Sequence, residues 1–391
     1  MLSHRISLLS ESITVAISSL AKELKAQGKD ILSFSAGEPD FDTPEAVKKA
    51  AIEAINGGFS KYTAVSGAPD VLKAVADKLK RDNDISYKPS DIIINVGAKH
   101  SLFSLFQVLL NHGDEVIIPS PYWVTYPEVV GYCGGKSVFL PTDDASAFKI
   151  TPTQLKEAIT AKTKILVLNN PSNPTGSLYS KDELSALADV LKGTDVLVIA
   201  DEIYEKLLFD GLQFTSFASL SEDAFQRTIT INGLSKSAAM PGWRFGYIAT
   251  PNKGIIDALK KLQSQSVSNV TSIVQKAAIP ALDGTIDEDI EFMRKTFEKR
   301  RDLAADALNK IDGISVVKPY GAFYLFVNTK DICADSMKFS KELLEYAGVA
   351  VVPGIGFGMD GYFRFSYATD EKSIIQGIER IGEFIKKNYG K

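Results

Sequence analysis

Thr228-Ile229-Thr230-Ile231-Asn232-Gly233-Leu234-Ser235-Lys236-Ser237-Ala238-Ala239-Met240-Pro241-Gly242-Trp243-Arg244-Phe245-Gly246-Tyr247 is the stretch on which the fold assignment turns. It opens with a β-branched apolar run that stops at Asn232-Gly233, and a lysine follows three residues later. Most lysines are solvated surface cations. One placed just beyond a buried strand is partly desolvated, which lowers its pKa and favours the neutral amine that carbonyl chemistry needs. Whether Lys236 is such a lysine depends on its company.

Working outward, apolar runs of strand length occur at residues 92–96, 115–119, 137–140, 164–168, 195–200, 228–231 and 246–249. Amphipathic segments of helix length, at 100–111, 153–161 and 181–192, separate several of them. This alternation predicts an α/β fold: a mainly parallel sheet with helices on both faces. Functional groups then collect beyond the carboxyl ends of the strands. Upstream, the spacing predicts a helix over 12–28, a short strand at 31–34, and helices over 44–56 and up to about residue 82. Downstream, long helices are expected at 264–281 and 287–311, then strands at 314–317, 322–326, 349–352 and 362–367 with helices at 336–346 and 371–387. The expected division is an N-terminal arm with part of a small domain in 1–43, a large domain in 44–285 and a small α+β domain in 286–391.

Composition narrows the function. The 391 residues carry a net charge of −4 and no block of basic residues able to track phosphates along a nucleic acid. Two cysteines far apart point to reduced thiols in a cytoplasmic protein. The first twenty residues lack a secretory pattern, and no apolar run is long enough to cross a bilayer.

The residues after the strands carry the chemistry. Gly97-Ala98-Lys99 turns from a strand into a helix, where free N–H groups form an anion site. Trp123 offers an aromatic face, or is core. Asn173 is held between Pro171 and Pro174-Thr175-Gly176 with its amide free to bond an oxygen. Asp201 ends a very apolar strand, so it needs a partner or caps a helix, and Tyr204 follows it. Arg364, in the alternating run Tyr362-Phe363-Arg364-Phe365-Ser366-Tyr367, faces solvent or forms a fork for a carboxylate.

An amine, a carboxylate, a phenol, an amide, an aromatic plate, a phosphate turn and an arginine are the parts that pyridoxal 5′-phosphate chemistry requires. From Ala36-Gly37-Glu38-Pro39 through Asn173-Pro174-Thr175-Gly176, Asp201-Glu202-Ile203-Tyr204 and Ser235-Lys236 to Arg364, the chain resembles the class I/II pyridoxal-phosphate aminotransferases of fold type I. Within them it is most similar to the aspartate aminotransferase subgroup that includes prokaryotic aspartate/prephenate enzymes. The resemblance implies a large domain with a mainly parallel seven-stranded sheet, a smaller α+β domain, and a cytoplasmic homodimer with shared sites. Lys236 would form the Schiff base and shuttle the proton, Asp201 would pair with the pyridine nitrogen, and Tyr204 and Asn173 would bond the phenolic oxygen. Trp123 would stack on the ring. Gly97, Ala98, Lys99, Ser235 and Arg244 would hold the phosphate, joined by Tyr62 from the neighbouring subunit. Gly37, Trp123, Asn173 and Arg364 would bind substrate, with Lys99 on the distal carboxylate of a dicarboxylic amino acid. Glu11, Ser12 and residues 266–269 are further candidates for that pocket. One departure from the family pattern is Gly233, where many relatives place a serine phosphate ligand.

The implied reaction is ping-pong transamination between aspartate and 2-oxoglutarate. Prephenate, aromatic or neutral amino acids are the alternative substrates. A carbon–sulfur β-lyase usually has tyrosine as its aromatic plate, against Trp123 here. A cofactor-sensing regulator carries an added DNA-binding domain, for which the chain ahead of the cofactor domain offers no room.

Overall fold

The computed structural model describes residues 2–390, and among them are thirteen strands. In chain order these are β1 (Leu32–Ser33), β2 (Ile92–Val96), β3 (Glu115–Ser120), β4 (Lys136–Pro141), β5 (Thr163–Asn169), β6 (Leu197–Asp201) and β7 (Thr228–Gly233). They continue with β8 (Phe245–Ala249), β9 (Ser315–Val316), β10 (Tyr324–Asn328), β11 (Val349–Ala350), β12 (Val352–Pro353) and β13 (Tyr362–Ser366).

Seven strands form one sheet in the order β2-β8-β7-β6-β5-β3-β4. β8 runs antiparallel to β2 and β7, and every other pairing is parallel. Side-chain alternation explains why these strands read as unbroken apolar runs. Ile93, Val167, Ile199 and Ile229 pack with Leu102, Leu105 and Phe106 of the helix Ala98–Leu109. Ile117, Leu166, Val198 and Ala200 pack with Leu184, Leu187 and Leu191 of the helix Lys181–Leu191. Both faces are therefore dry. The carboxyl ends of β2, β3, β5, β6 and β7 share one edge, and antiparallel β8 starts there, so Arg244 joins that edge from the opposite chain direction.

The second sheet is antiparallel, in the order β12-β13-β10-β9. β1 pairs in parallel with β11, which ties the segment before the large sheet to the C-terminal region. A common core joins the two sheets: Ile203, Tyr204, Leu207 and Phe209, just beyond β6, pack with Phe323, Tyr324, Phe363 and Phe365. Phe34 stacks on Phe365 at 4.1 Å between ring centroids.

Two expectations need correction. The helix expected over 264–281 begins only at Ser272 and runs to Leu282, and a separate helix, Lys253–Ser264, ends where it was expected to start. The helix is closed by the Gln263 carbonyl, which accepts from the amides of Ser266, Val267 and Ser268, while Ser264 and Ser266 turn their hydroxyls back onto helix carbonyls. Serine and asparagine side chains compete with the helix for backbone partners. The start at Lys253 is capped by Asn252, whose side chain accepts from the Ile255 amide. The strand expected over 349–352 is split, because Val349–Ala350 pairs with β1 and Val352–Pro353 with β13. The helix Thr125–Tyr132 was not foreseen. No helix among the described residues is long and apolar enough to cross a membrane.

Candidate active site

A cavity of about 420 Å³ lies at the carboxyl edge of the large sheet, roofed by the second sheet and by the helix Ile13–Ala26. Lys236, Ser235, Asp201, Tyr204, Asn173, Trp123, Ala98, Lys99, Arg244, Arg364 and Gly37 all line it. Gly97 sits behind it, in the turn that aims the next two amides. Tyr62 does not line it and is 90% exposed, and neither Glu11 nor residues 266–269 reach it, although Ser12 does.

Lys236 reaches across from the end of β7 to donate to the Gly37 carbonyl. Burial pulls its ammonium down to about 8; Glu38 and Asp201 oppose the shift, and Arg364 and Arg244 add to it. Opposite stands Asp201, buried at the end of β6. One carboxylate oxygen accepts from the Tyr126 hydroxyl at 2.7 Å, and the other meets the Ile203 amide at a long 3.4 Å. Burial raises its pKa to about 6 against the pull of those two donors and Lys236. No helix follows Asp201, so it is not a cap. The Asp201 carbonyl accepts from the Asn169 side chain and the Asn170 amide, which fixes the β5 and β6 ends relative to each other.

Asn173 is held through its amide by Asn169 Oδ1 at 2.7 Å, and its own Oδ1 accepts from Arg364 Nη1 at 3.0 Å. Arg364 lies on the central strand β13, wholly buried, with Nη2 donating to the Ser35 carbonyl at 2.9 Å. Its Nε has no partner among the described residues. A buried guanidinium with spare donors facing a cavity is a carboxylate receptor. Lys99 lies across the cavity with its ammonium 5.1 Å from the Trp123 ring centroid, and burial followed by the nearby Arg244 lowers its pKa.

The turn after β2 is built for an anion. Gly97 has φ +79°, and a Cβ on it would stand 2.5 Å from Arg244 Nη2. The Ala98 and Lys99 amides, first in their helix, meet no protein acceptor among the described residues. Ser235 and Arg244 complete the rim. The structure also accounts for Gly233: a Cβ there would lie 2.7 Å from the Phe245 carbonyl oxygen and 3.0 Å from Gly246 Cα, so β8 leaves no space for a side chain.

Two tyrosines went unnoticed in the sequence. Tyr126, in the first turn of the helix Thr125–Tyr132, meets the Trp123 ring edge-on at 5.5 Å between centroids, and both line the cavity. Tyr324 looks like core in an apolar strand, yet lines the cavity.

Glu202 turns the other way along the chain, into the core. Its Oε1 accepts from Ser216 Oγ at 2.7 Å and the Phe217 amide at 3.1 Å, while Oε2 has no partner among the described residues. Burial, reinforced by Glu205 and opposed by Ser216, the Phe217 amide and Lys78, raises its pKa to about 8. Tyr87 and Tyr247 face the same group. The folded protein thus keeps a proton that the unfolded chain releases near 4.5, and this acid lowers stability as pH rises from 4.5 to 8, with no further loss above. Glu202→Gln removes that slope. Chemical denaturation at pH 5 and pH 8 should show wild type losing on the order of 3 kcal/mol more than the variant between the two values. Parallel curves would mean that Glu202 is ionised in the fold.

Residues 29–381 match the family described as aminotransferase class I and II. The aspartate aminotransferase of Bacillus subtilis (strain 168) is 49% identical over 392 residues, covering 99% of each chain. A probable aspartate/prephenate aminotransferase of Aquifex aeolicus is 43% identical over 390 residues, again with 99% of each covered. The solved aspartate aminotransferase from Thermus thermophilus with maleate superposes with a TM-score of 0.94 at 42% identity, over 98% of this chain and 99% of that one.

Proposed function

Because the chain belongs to the aminotransferase class I and II family, we propose that it moves an amino group from an amino acid to a 2-oxo acid by a ping-pong scheme, aspartate with 2-oxoglutarate. The observation that carries this reading is the meeting of a low-pKa lysine, a buried carboxylate and two cations of separate carboxylate reach in one cavity.

The family is pyridoxal-phosphate dependent, and the cavity fits that group. The Ala98 and Lys99 amides with Ser235 and Arg244 suit its phosphate, Trp123 its ring face, Asp201 its pyridine nitrogen, and Tyr204 and Asn173 its phenolic oxygen. The cofactor would rest on Lys236 and pass to the substrate amine, where it would supply an electron sink for the substrate α-carbon and leave the lysine amine free. Arg364 and the Asn173 amide bind the α-carboxylate and orient the α-hydrogen toward the lysine. The Lys236 amine, near 8 rather than its ordinary 10.5, is poised to take that proton and return it. Asp201, held by Tyr126, keeps negative charge where positive charge is needed. Lys99 receives the distal carboxylate. The exposed Tyr62 is free to reach the cavity of a second copy, which supports a homodimer with shared sites. The pairing of β1 with β11 supports grouping residues 1–43 with 286–391 around the large domain at 44–285.

Prephenate is the second reading, favoured by relatives named aspartate/prephenate aminotransferases. The visible spectrum separates the two. A cofactor band bleached by aspartate and restored by 2-oxoglutarate supports the first reading; bleaching restored only by prephenate selects the second; no band after incubation with pyridoxal phosphate overturns both. For Lys99→Ala, the KM for aspartate should rise roughly tenfold or more, with a much smaller rise for alanine. Equal rises would remove Lys99 from the distal pocket.

A further inference from the structure

Tyr324 touches both halves of the site. On β10 its ring lies beneath the Arg364 guanidinium, 4.3 Å from Cζ to centroid. Its hydroxyl stands 2.9 Å from the Tyr204 hydroxyl, and the same oxygen would be 3.5 Å from a Cβ on Gly37. Tyr204 and Tyr324 are buried, at 3% and 0% exposure, and both line the cavity. Register explains the placement: Tyr324 pairs with Ser366, two residues from Arg364 and on the same face of the antiparallel sheet.

We propose that Tyr324 is a positioning residue with two separable tasks, its ring supporting the carboxylate fork of Arg364 and its hydroxyl orienting the phenol of Tyr204. The proposal rests on the transaminase reading above. Among the described residues Arg364 has directional anchors only at Asn173 Oδ1 and the Ser35 carbonyl, with Nε unpartnered. Two aromatic faces, Tyr324 and Phe357 at 5.1 Å, hold its plane while leaving donors for a ligand. The hydroxyl pair works as a rotor. Each phenol has one proton and an acceptor oxygen. When Tyr204 turns its proton toward an oxygen in the cavity, Tyr324 gives its own proton to the Tyr204 oxygen, and no buried hydroxyl is orphaned. Either hydroxyl can donate to the other, and burial keeps both phenols protonated.

The test uses Tyr324→Phe and Tyr324→Leu in the cofactor-loaded protein, read by pH titration of the visible band and by the Kd of a non-reacting dicarboxylate, maleate. Tyr324→Phe removes one oxygen and keeps the ring, so it should shift the titration midpoint by about half a unit to one unit. Tyr324→Leu removes the ring as well and should also weaken maleate binding roughly tenfold. A Tyr324→Phe midpoint that coincides with wild type overturns the hydroxyl task. Unaltered maleate affinity in Tyr324→Leu overturns the ring task. Should the leucine variant fail to fold, Tyr324→Phe still decides the first task, and Tyr324→Trp, which retains an aromatic face, decides the second by keeping maleate affinity closer to wild type than Tyr324→Ala does. If wild type shows no band, or a band that no amino acid bleaches, the transaminase reading has failed, and the wild-type control tells that result apart from the failure of either task.

Discussion

Lys236→Ala should lower kcat by roughly 10⁴-fold or more while the protein still binds maleate. This lysine combines a low pKa with a reach to the substrate side, held by the Gly37 carbonyl. Lys99, the other lysine beside the ring plate, sits over Trp123 and is committed to the far side. Removing Lys236 leaves Arg364, Asn173 and Lys99 in place, so ligand affinity and chemistry separate. A pH test accompanies this. In the cofactor-free protein the folded pKa of about 8 lies below the ordinary 10.5, so the folded state binds fewer protons between these values. That lysine therefore destabilises wild type progressively as pH falls from 10.5 to 8, and Lys236→Ala should lack this slope. Turnover within a factor of a few of wild type would sink the assignment.

What could be read from the chain, and what could not, follows from which signals are local. The seven strands of the large sheet were readable because burial on both faces makes each one continuously apolar, and their ends carried Asp201, Asn173, Gly97 and Lys236 as visible breaks in that pattern. Arg364 was ambiguous, since alternation says that a residue leaves the plane and not what it meets; the roof over the cavity decides that. Tyr126 and Tyr324 were invisible for a related reason. A tyrosine in an apolar segment has the same pattern as a core phenylalanine, and only its hydroxyl partner, Asp201 or Tyr204, separates them. The helix Ile13–Ala26 shows the limit most clearly. Its periodicity marks a polar stripe, but Thr14, Ser18 and Ser19 on that stripe line the cavity instead of a solvated face. The break after Ser264 depended on three amides converging on one carbonyl, a competition among neighbours that apolar spacing does not report.

Asp201→Asn should reduce kcat roughly a thousandfold, with a smaller change in the KM for aspartate. The substitution keeps the shape and the Tyr126 contact but removes the charge. Of the two carboxylate oxygens, one is engaged by Tyr126 at 2.7 Å and the other has only the 3.4 Å approach of the Ile203 amide, so it is the one available to a cationic N–H group. Charge fixed in a dry site costs no reorganisation when positive charge arrives, which is why its loss falls on the chemical step more than on binding. The sign of the pH effect provides an independent readout. Without cofactor, burial holds the Asp201 pKa near 6, above the ordinary 3.8, so below pH 6 the group is neutral and must shed a proton to pair with a cation. Pyridoxal phosphate affinity should consequently rise with pH up to about 6 and level off above it, and Asp201→Asn should abolish that rise. Tyr126→Phe, which removes the donor that opposes the shift, should move the same step to higher pH. An asparagine variant with wild-type kcat would place the cofactor's charge partner elsewhere in the cavity, and a pH step that survives in it would assign the titration to another group.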